Sequence, residues 1–152
     1  IHKTAQVDPT ATIKGPAIIG KDSIVGPYAF LRGGVYLGDS SIIGYCSEIK
    51  SCIILRHSGI THLSYVADSI VGDNVNFEAG VSVINYFSER PVKEIPVKVG
   101  EDIIQTNIVK FGALVGDGCK IGGNATLTPG TILSPNTVVA RLELVEQIKA
   151  NS

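Results

Sequence analysis

From Ile1 to Leu55 every sixth residue is aliphatic. Split from Ile1, the chain reads IHKTAQ, VDPTAT, IKGPAI, IGKDSI, VGPYAF, LRGGVY, LGDSSI, IGYCSE, IKSCII and LRHSGI, and all ten hexads open with Ile, Val or Leu. The fifth position is mostly small, as at Ala5, Ala11, Ala17, Ser23, Ala29, Ser41 and Ser47. Six residues carry an α-helix through about 600°, which does not return a side chain to the same face. Six is a multiple of the strand period of two, so the first and fifth positions both face inward on a strand. The pattern predicts an all-β chain of short strands and turns, stacked as a solenoid.

The beat stops at Thr61 and restarts out of register at Val71 with VGDNVN and FEAGVS. Residues 86–108 carry no hexads and are expected to form one long inserted loop. So long an insertion in a tight solenoid serves function or a subunit contact. The beat returns at Val109 with VKFGAL, VGDGCK, IGGNAT, LTPGTI and LSPNTV. Residues 140–152 read as a tail or short C-terminal helix that caps the last rung, because solenoids need polar ends.

Composition adds limits. The 152 residues make one domain, 1–152, and with neither Met nor Trp its core must come from Ile, Val, Leu and Ala. A formal charge of −1 gives no reason to expect nucleic acid as a partner. No apolar run approaches the ~20 residues that cross a bilayer, and no signal-peptide pattern is present. Cys46, Cys52 and Cys119 lack CxxC spacing and read as small packed residues of a reducing compartment. A cytoplasmic protein is expected, with no membrane partner and no metal.

With three hexads to a coil, residues eighteen apart would stack at about the strand spacing of 4.8 Å. The outward second position then puts Lys14, Arg32 and Lys50 on consecutive rungs of one edge. Three stacked cations repel unless an anion joins them, and a phosphate fits the spacing because guanidinium and ammonium donors converge on its oxygens. A solvated cationic edge is the plainer alternative.

The repeated aliphatic–Gly–x–x–small–x unit resembles the hexapeptide signature of left-handed parallel β-helices, which are mostly acyltransferases. The resemblance implies triangular coils of three hexads, left-handed winding and a homotrimer. Residues 62–86, HLSYVADSIVGDNVNFEAGVSVINY, are similar to the acetyltransferase domain of the bacterial bifunctional enzymes that make UDP-N-acetylglucosamine. In that family the histidine is the general base, here His62, and a phosphate-binding arginine and lysine precede it by 30 and 12 residues, which lands on Arg32 and Lys50. The resemblance further implies that Tyr65, Asn76 and Asn85 bind and orient the sugar. Acetyl-CoA would be the co-substrate, lying in a groove between subunits against Ala79, Gly80 and Gly123. The expected reaction is acetyl transfer to the amine of a hexosamine 1-phosphate, with glucosamine 1-phosphate first among acceptors.

This chain departs from the family pattern at Ala67 and Glu78, where glycines are usual, and at Phe87–Ser88. The family's phosphate-reaching lysine has no fixed counterpart in the loop; Lys93 is the best candidate, with Arg90 and Lys110 behind it. Two other readings stay open. A non-catalytic solenoid with a decayed site would explain the departures. A zinc carbonic anhydrase of the same fold would use His57 and His62, which have the right five-residue spacing, but its third ligand would fall on Lys21, a poor zinc ligand.

Overall fold

The computed structural model describes residues 1–149 and contains strands but no helix among them. The chain winds as a parallel β-helix of the hexapeptide-repeat type, with three faces per coil. Seven strands stack on the first face in the order Gln6–Val7, Ile24–Val25, Ile42–Tyr45, Gly59–His62, Asn76–Phe77, Lys120–Ile121 and Val138–Val139. The second face runs through Thr12–Lys14, Phe30–Leu37, Glu48–Ile54, Tyr65–Ala67, Ser82–Val83, Thr126–Leu127 and Leu144–Val145. Phe30–Leu37 and Glu48–Ile54 bend round a corner and continue on the third face, with Ala17–Ile19, Ile70–Val71, Ala113–Val115 and Thr131–Leu133.

Alternation on these strands sends one aliphatic side chain per face into the axis. Ile19, Leu31, Leu37, Ile43, Ile49, Ile60 and Leu127 are all buried there, with Phe77 the largest fully buried side chain. The small fifth position has a physical reason as well. Ser23, Ser41 and Ser58 are buried, and each hydroxyl donates to a carbonyl one coil away: Gly38 at 2.8 Å, Leu55 at 2.7 Å and Gly72 at 2.7 Å. A longer side chain would fill the axis and leave that carbonyl without a side-chain donor.

The corners set the coil length. Ile18 pairs with Tyr36 after eighteen residues, but Tyr36 pairs with Ile53 and Ile53 with Ile70, seventeen residues apart each time. The shortening occurs where Gly33–Gly34 of one coil face the single residue Ser51 of the next, and it recurs at Asp68. The break in rhythm expected at Thr61 therefore begins ten residues earlier. Ile54, not Leu55, is the fully buried residue of its rung. The expected restart at Val109 is also corrected: Val109 is exposed, and the interior column resumes at Val115.

The long insertion leaves from the same corner. Asn76 pairs with Lys120, and between Val83 and Ala113 the chain makes an excursion that includes an antiparallel hairpin, Pro96–Val99 with Asp102–Gln105. Phe87, Ile95 and Val97 are buried under it. Gly130, at φ +82°, accepts the hairpin against the coil beneath, since a Cβ there would stand 2.7 Å from the Pro96 carbonyl oxygen.

No terminal helix forms in the described part of the tail. Leu144 and Val145 pair with Thr126 and Leu127 as a further rung, because the edge of the preceding coil offers unpaired backbone groups that a strand satisfies and a helix does not. Gln147 continues the cover, its side-chain amide bonding the Ile132 N–H at 2.8 Å and C=O at 2.6 Å. Residues 150–152 of the expected tail lie outside the described residues.

Candidate functional site

Lys14, Arg32 and Lys50 are strand partners in register, so the cationic column exists. Its anions come from the chain itself. The Arg32 guanidinium lies 2.7 Å from Glu48, and the Lys50 ammonium lies 2.8 Å from Asp68. Lys14 and Arg32 also flank the Phe30 ring at 5.5 and 5.8 Å from its centre. Neither carboxylate was singled out in the sequence. Strand alternation was the available signal for Glu48, two residues before Lys50 and hence on the same outward face. Asp68 lies eighteen residues after Lys50, one step further along the same ladder, although the shortened coil makes Ala67 the strand partner of Lys50 and leaves Asp68 at the corner beside it.

Asp68 gathers more of the expected site. Its carboxylate accepts a hydrogen bond from the Asn85 side-chain amide, and Asn85 is itself buried. Lys50, Asp68 and Asn85 thus form one polar cluster at the corner between the second and third faces. Tyr65 stands beside it on the second face, paired with Glu48. Burial raises the Tyr65 phenol above its ordinary pKa and Glu48 adds to this, against the pull of Lys50 and Arg32. The phenol therefore stays a proton donor at neutral pH.

Of the loop candidates, Lys93 donates to the Phe87 and Ser88 carbonyls at 3.0 and 2.7 Å and lies 5.4 Å from the Tyr86 ring centre. Lys110 approaches the same ring at 4.9 Å. Arg90 is committed elsewhere: it stacks on Phe87 at 3.5 Å and reaches Glu146 and the Ile148 carbonyl in the tail.

His62 is exposed and closes its strand at the corner between the first and second faces, in register with Tyr45. It does not lie in the cationic column; the second face separates the two. The corner hydrogen bonds do align it with the residues expected for the coenzyme. Gly80 N–H donates to the His62 carbonyl, Asn124 N–H to that of Ala79, and Leu142 N–H to that of Gly123. His62, Ala79, Gly123 and Arg141 therefore occupy one column on successive coils. Asn76 is exposed on the first face, in register with Gly59 at the start of the strand that ends at His62. His57, Asn74 and Asn124 take φ of 56°, 57° and 57° at corners, a left-handed conformation that Asn tolerates well.

Glu78, where a glycine was expected, has partners of its own. Its carboxylate accepts the Gly123 N–H at 2.8 Å and holds the Arg141 guanidinium at 2.6 and 2.8 Å. On the third face, Ile18, Tyr36, Ile53 and Ile70 form an exposed row in register.

A family model described as the GMPPB C-terminal domain matches residues 15–92, a span that includes Arg32, Lys50, His62, Tyr65, Asn76 and Asn85. The bifunctional protein GlmU of Methanococcus maripaludis is 38% identical over 112 residues, covering 70% of this chain and 25% of that protein. A bifunctional sugar-1-phosphate nucleotidylyltransferase/acetyltransferase of Sulfurisphaera tokodaii is 40% identical over 84 residues, covering 55% and 20%. The chain thus spans about a quarter of the length of the curated relatives it matches.

Among solved structures, the acetyltransferase domain of PglB from Neisseria gonorrhoeae, in complex with acetyl coenzyme A, has a TM-score of 0.68 at 18% identity, covering 92% of this chain and 56% of that one. A hexapeptide transferase family protein from Anaplasma phagocytophilum has a TM-score of 0.61 at 19% identity, covering 90% and 73%. At those identities the likeness is one of fold. The family match spans half of the chain, and the chain belongs to the GMPPB C-terminal domain family, built on the hexapeptide-transferase fold.

Proposed function

We propose that the chain is an acetyl-CoA-dependent N-acetyltransferase acting on the amine of a hexosamine 1-phosphate, with glucosamine 1-phosphate as first candidate, in nucleotide-sugar biosynthesis in the cytoplasm. The observation that carries this reading is the register of Arg32 with Lys50 at one corner, beside Tyr65 and Asn85, within a segment whose histidine matches the family's base. In this reading Arg32 and Lys50 exchange Glu48 and Asp68 for phosphate oxygens, and Tyr65, Asn76 and Asn85 orient the ring. Lys93 supplies a further cation from the loop.

The chemistry needs a base. An amino sugar is largely an ammonium at neutral pH and cannot attack a thioester until a proton leaves. Imidazole accepts that proton near neutrality, and His62 has the exposure to meet a substrate. The freed amine attacks the thioester carbonyl carbon, backbone N–H groups stabilise the tetrahedral oxyanion, and the C–S bond breaks. His62 passes the first proton to solvent, takes the second from the attacking nitrogen as the tetrahedral intermediate collapses, and hands it to the departing thiolate, leaving a neutral amide and a free thiol. Ala79, Gly80 and Gly123, on the coils above, would line the acetyl-CoA site.

His62 and the Lys50 cluster lie at opposite ends of the second face. A homotrimer with active sites between subunits would let the phosphate corner of one copy and the imidazole corner of its neighbour close on one acceptor. The contiguous row of exposed apolar side chains on the third face supports such an assembly, since exposed apolar patches mark interaction sites.

The test is a thiol-release assay with acetyl-CoA against amino sugars with and without a 1-phosphate. Turnover that depends on the phosphate supports the reading; turnover indifferent to it removes the role given to Arg32 and Lys50. A second reading, a non-catalytic solenoid, draws on the same pairs: Glu48 and Asp68 already neutralise the column, so no phosphate is required for its stability. Titration with acetyl-CoA separates the two, because a decayed site would retain no coenzyme affinity.

A further inference from the structure

The column that begins at His62 ends in a charge pair that the acetyl-transfer chemistry does not use. Going up the corner, the side chains are an imidazole at His62, a methyl at Ala79, a hydrogen at Gly123 and a guanidinium at Arg141. The outcome is a trough closed by a ring at one end and a cation at the other, with Ala79 exposed on its floor and the Glu78 side chain lying over Gly123. Three strand spacings separate its ends, about 14 Å. The pantetheine arm of coenzyme A, thirteen bonds from sulfur to the first phosphorus, spans roughly 16 Å when extended. A thioester held at His62 would therefore bring its nucleotide phosphates to Arg141.

The surroundings of Arg141 suit an anion. A cavity of about 240 Å³ adjoins it, lined by Lys120, Asn76, Glu78 and Gly122 as well. Lys120 and Arg141 are two cations against one carboxylate. The Arg141 guanidinium is 75% exposed, so a phosphate reaches it without opening the fold. Glu78 meanwhile occupies both of the donors that a phosphate would take, and caps the Gly123 N–H as well. A planar guanidinium binds carboxylate and phosphate with the same fork, so the two compete for one set of donors.

We propose that Arg141 clamps the nucleotide phosphates of the coenzyme and that Glu78 is its internal competitor, holding the guanidinium when the site is empty and setting the coenzyme affinity. This rests on the acetyl-CoA reading above, and deepens it by assigning the phosphate end of the donor to Arg141, outside the matched motif, and to Glu78, a departure within it. Glu78 also explains its own departure from glycine: an anion at this position lowers affinity and speeds release.

The experiment is isothermal titration of CoA into the wild-type chain and into Arg141→Ala, Arg141→Lys and Glu78→Gln, each first checked for an unchanged thermal transition. Arg141→Ala should weaken CoA binding about tenfold or more. Arg141→Lys should recover part of that loss, and Glu78→Gln should tighten binding. The opposite signs are the decisive feature, since an ion pair serving only to hold the coils together would make both substitutions weaken binding. Equal losses in Arg141→Ala and Glu78→Gln, or no change in Arg141→Ala, overturn the proposal. Failure of the wild-type chain to bind CoA overturns both this and the acetyltransferase reading. CoA binding with the expected signs, but no acetylation of any amino-sugar phosphate, leaves the clamp standing and removes the acceptor assignment.

Discussion

Lys50 and Asp68 stand one coil apart at the same corner, and the Lys50 ammonium lies 2.8 Å from the Asp68 carboxylate with both side chains about four-fifths buried. The contact holds the lysine at the corner rather than over the second face, and Asn85 fixes the carboxylate from the other side. Removing the lysine leaves a largely buried anion without its counter-charge, whereas neutralising the aspartate leaves the lysine free for another anion. Lys50→Ala should cost about 1 kcal/mol of stability and raise KM for the sugar phosphate. Asp68→Asn should lower that KM. Denaturant melts and initial-rate kinetics on the two variants check the opposite effects.

His62 and Arg32 should separate in kinetics. As the proposed base, His62 would act on the reacting nitrogen, and His62→Ala should reduce kcat by about 10² or more. Arg32→Ala should chiefly raise KM for the sugar phosphate, because the proposed contact would exist before the reaction as well as during it. An unchanged kcat in His62→Ala would end the proposed mechanism.

Gly44 is fixed by the coil above it. A Cβ at this position would stand 1.5 Å from the Thr61 carbonyl oxygen, which belongs to the backbone and cannot turn aside. Gly44→Ala should cost about 3 kcal/mol or more, or prevent folding. A urea melt that matches wild type would contradict the coil spacing described here.

The cysteines should react in two classes. Burial pushes the Cys52 thiol up to about 12, so almost none is thiolate at pH 8. Cys119 is fully buried, and only Cys46 has partial exposure. A thiol reagent at pH 8 should label Cys46 in the native protein and the other two only after denaturation.

Acid should weaken the corners. The Arg56 side chain and backbone N–H hold Asp73 below the ordinary carboxylate range, and Arg141 with the Gly123 N–H does the same for Glu78. Both groups ionise more readily folded than unfolded. The stability they contribute is complete above the ordinary carboxylate pKa of ~4 and is lost as pH falls through the lowered values. Tm should stay level from about pH 7 to 5 and fall below about 4, and Asp73→Asn should flatten that fall.

The interior column from Ile13 to Ile49 was legible because its period is fixed by the pleat and by one coil's perimeter, both local properties. Leu55 was misassigned because nothing at Ser51 announces a shorter corner: serine is not the residue expected at the φ of 51° it adopts there. The tail misled in another way. Leu144, Val145 and Ile148 have a spacing compatible with a helix, but the open edge of the preceding coil recruits Leu144 and Val145 as a strand. In the candidate site, Arg32, Lys50 and His62 could be read from spacing and motif, Glu48 and Asp68 had signals in strand alternation and in the eighteen-residue ladder, and the Glu78–Arg141 pair, 63 residues apart across the excursion, had none.

The sequence by itself determined the solenoid, its aliphatic axis and the column of Lys14, Arg32 and Lys50, because each follows from a period repeated along the chain. The tertiary structure decided which carboxylate meets which cation. Glu78 touches Arg141 only because a long excursion returned to register, and Lys50 meets Asp68 diagonally, with Ala67 as its strand partner, because a corner lost a residue. Such meetings depend on the summed length of everything between two residues, a quantity that no local pattern encodes.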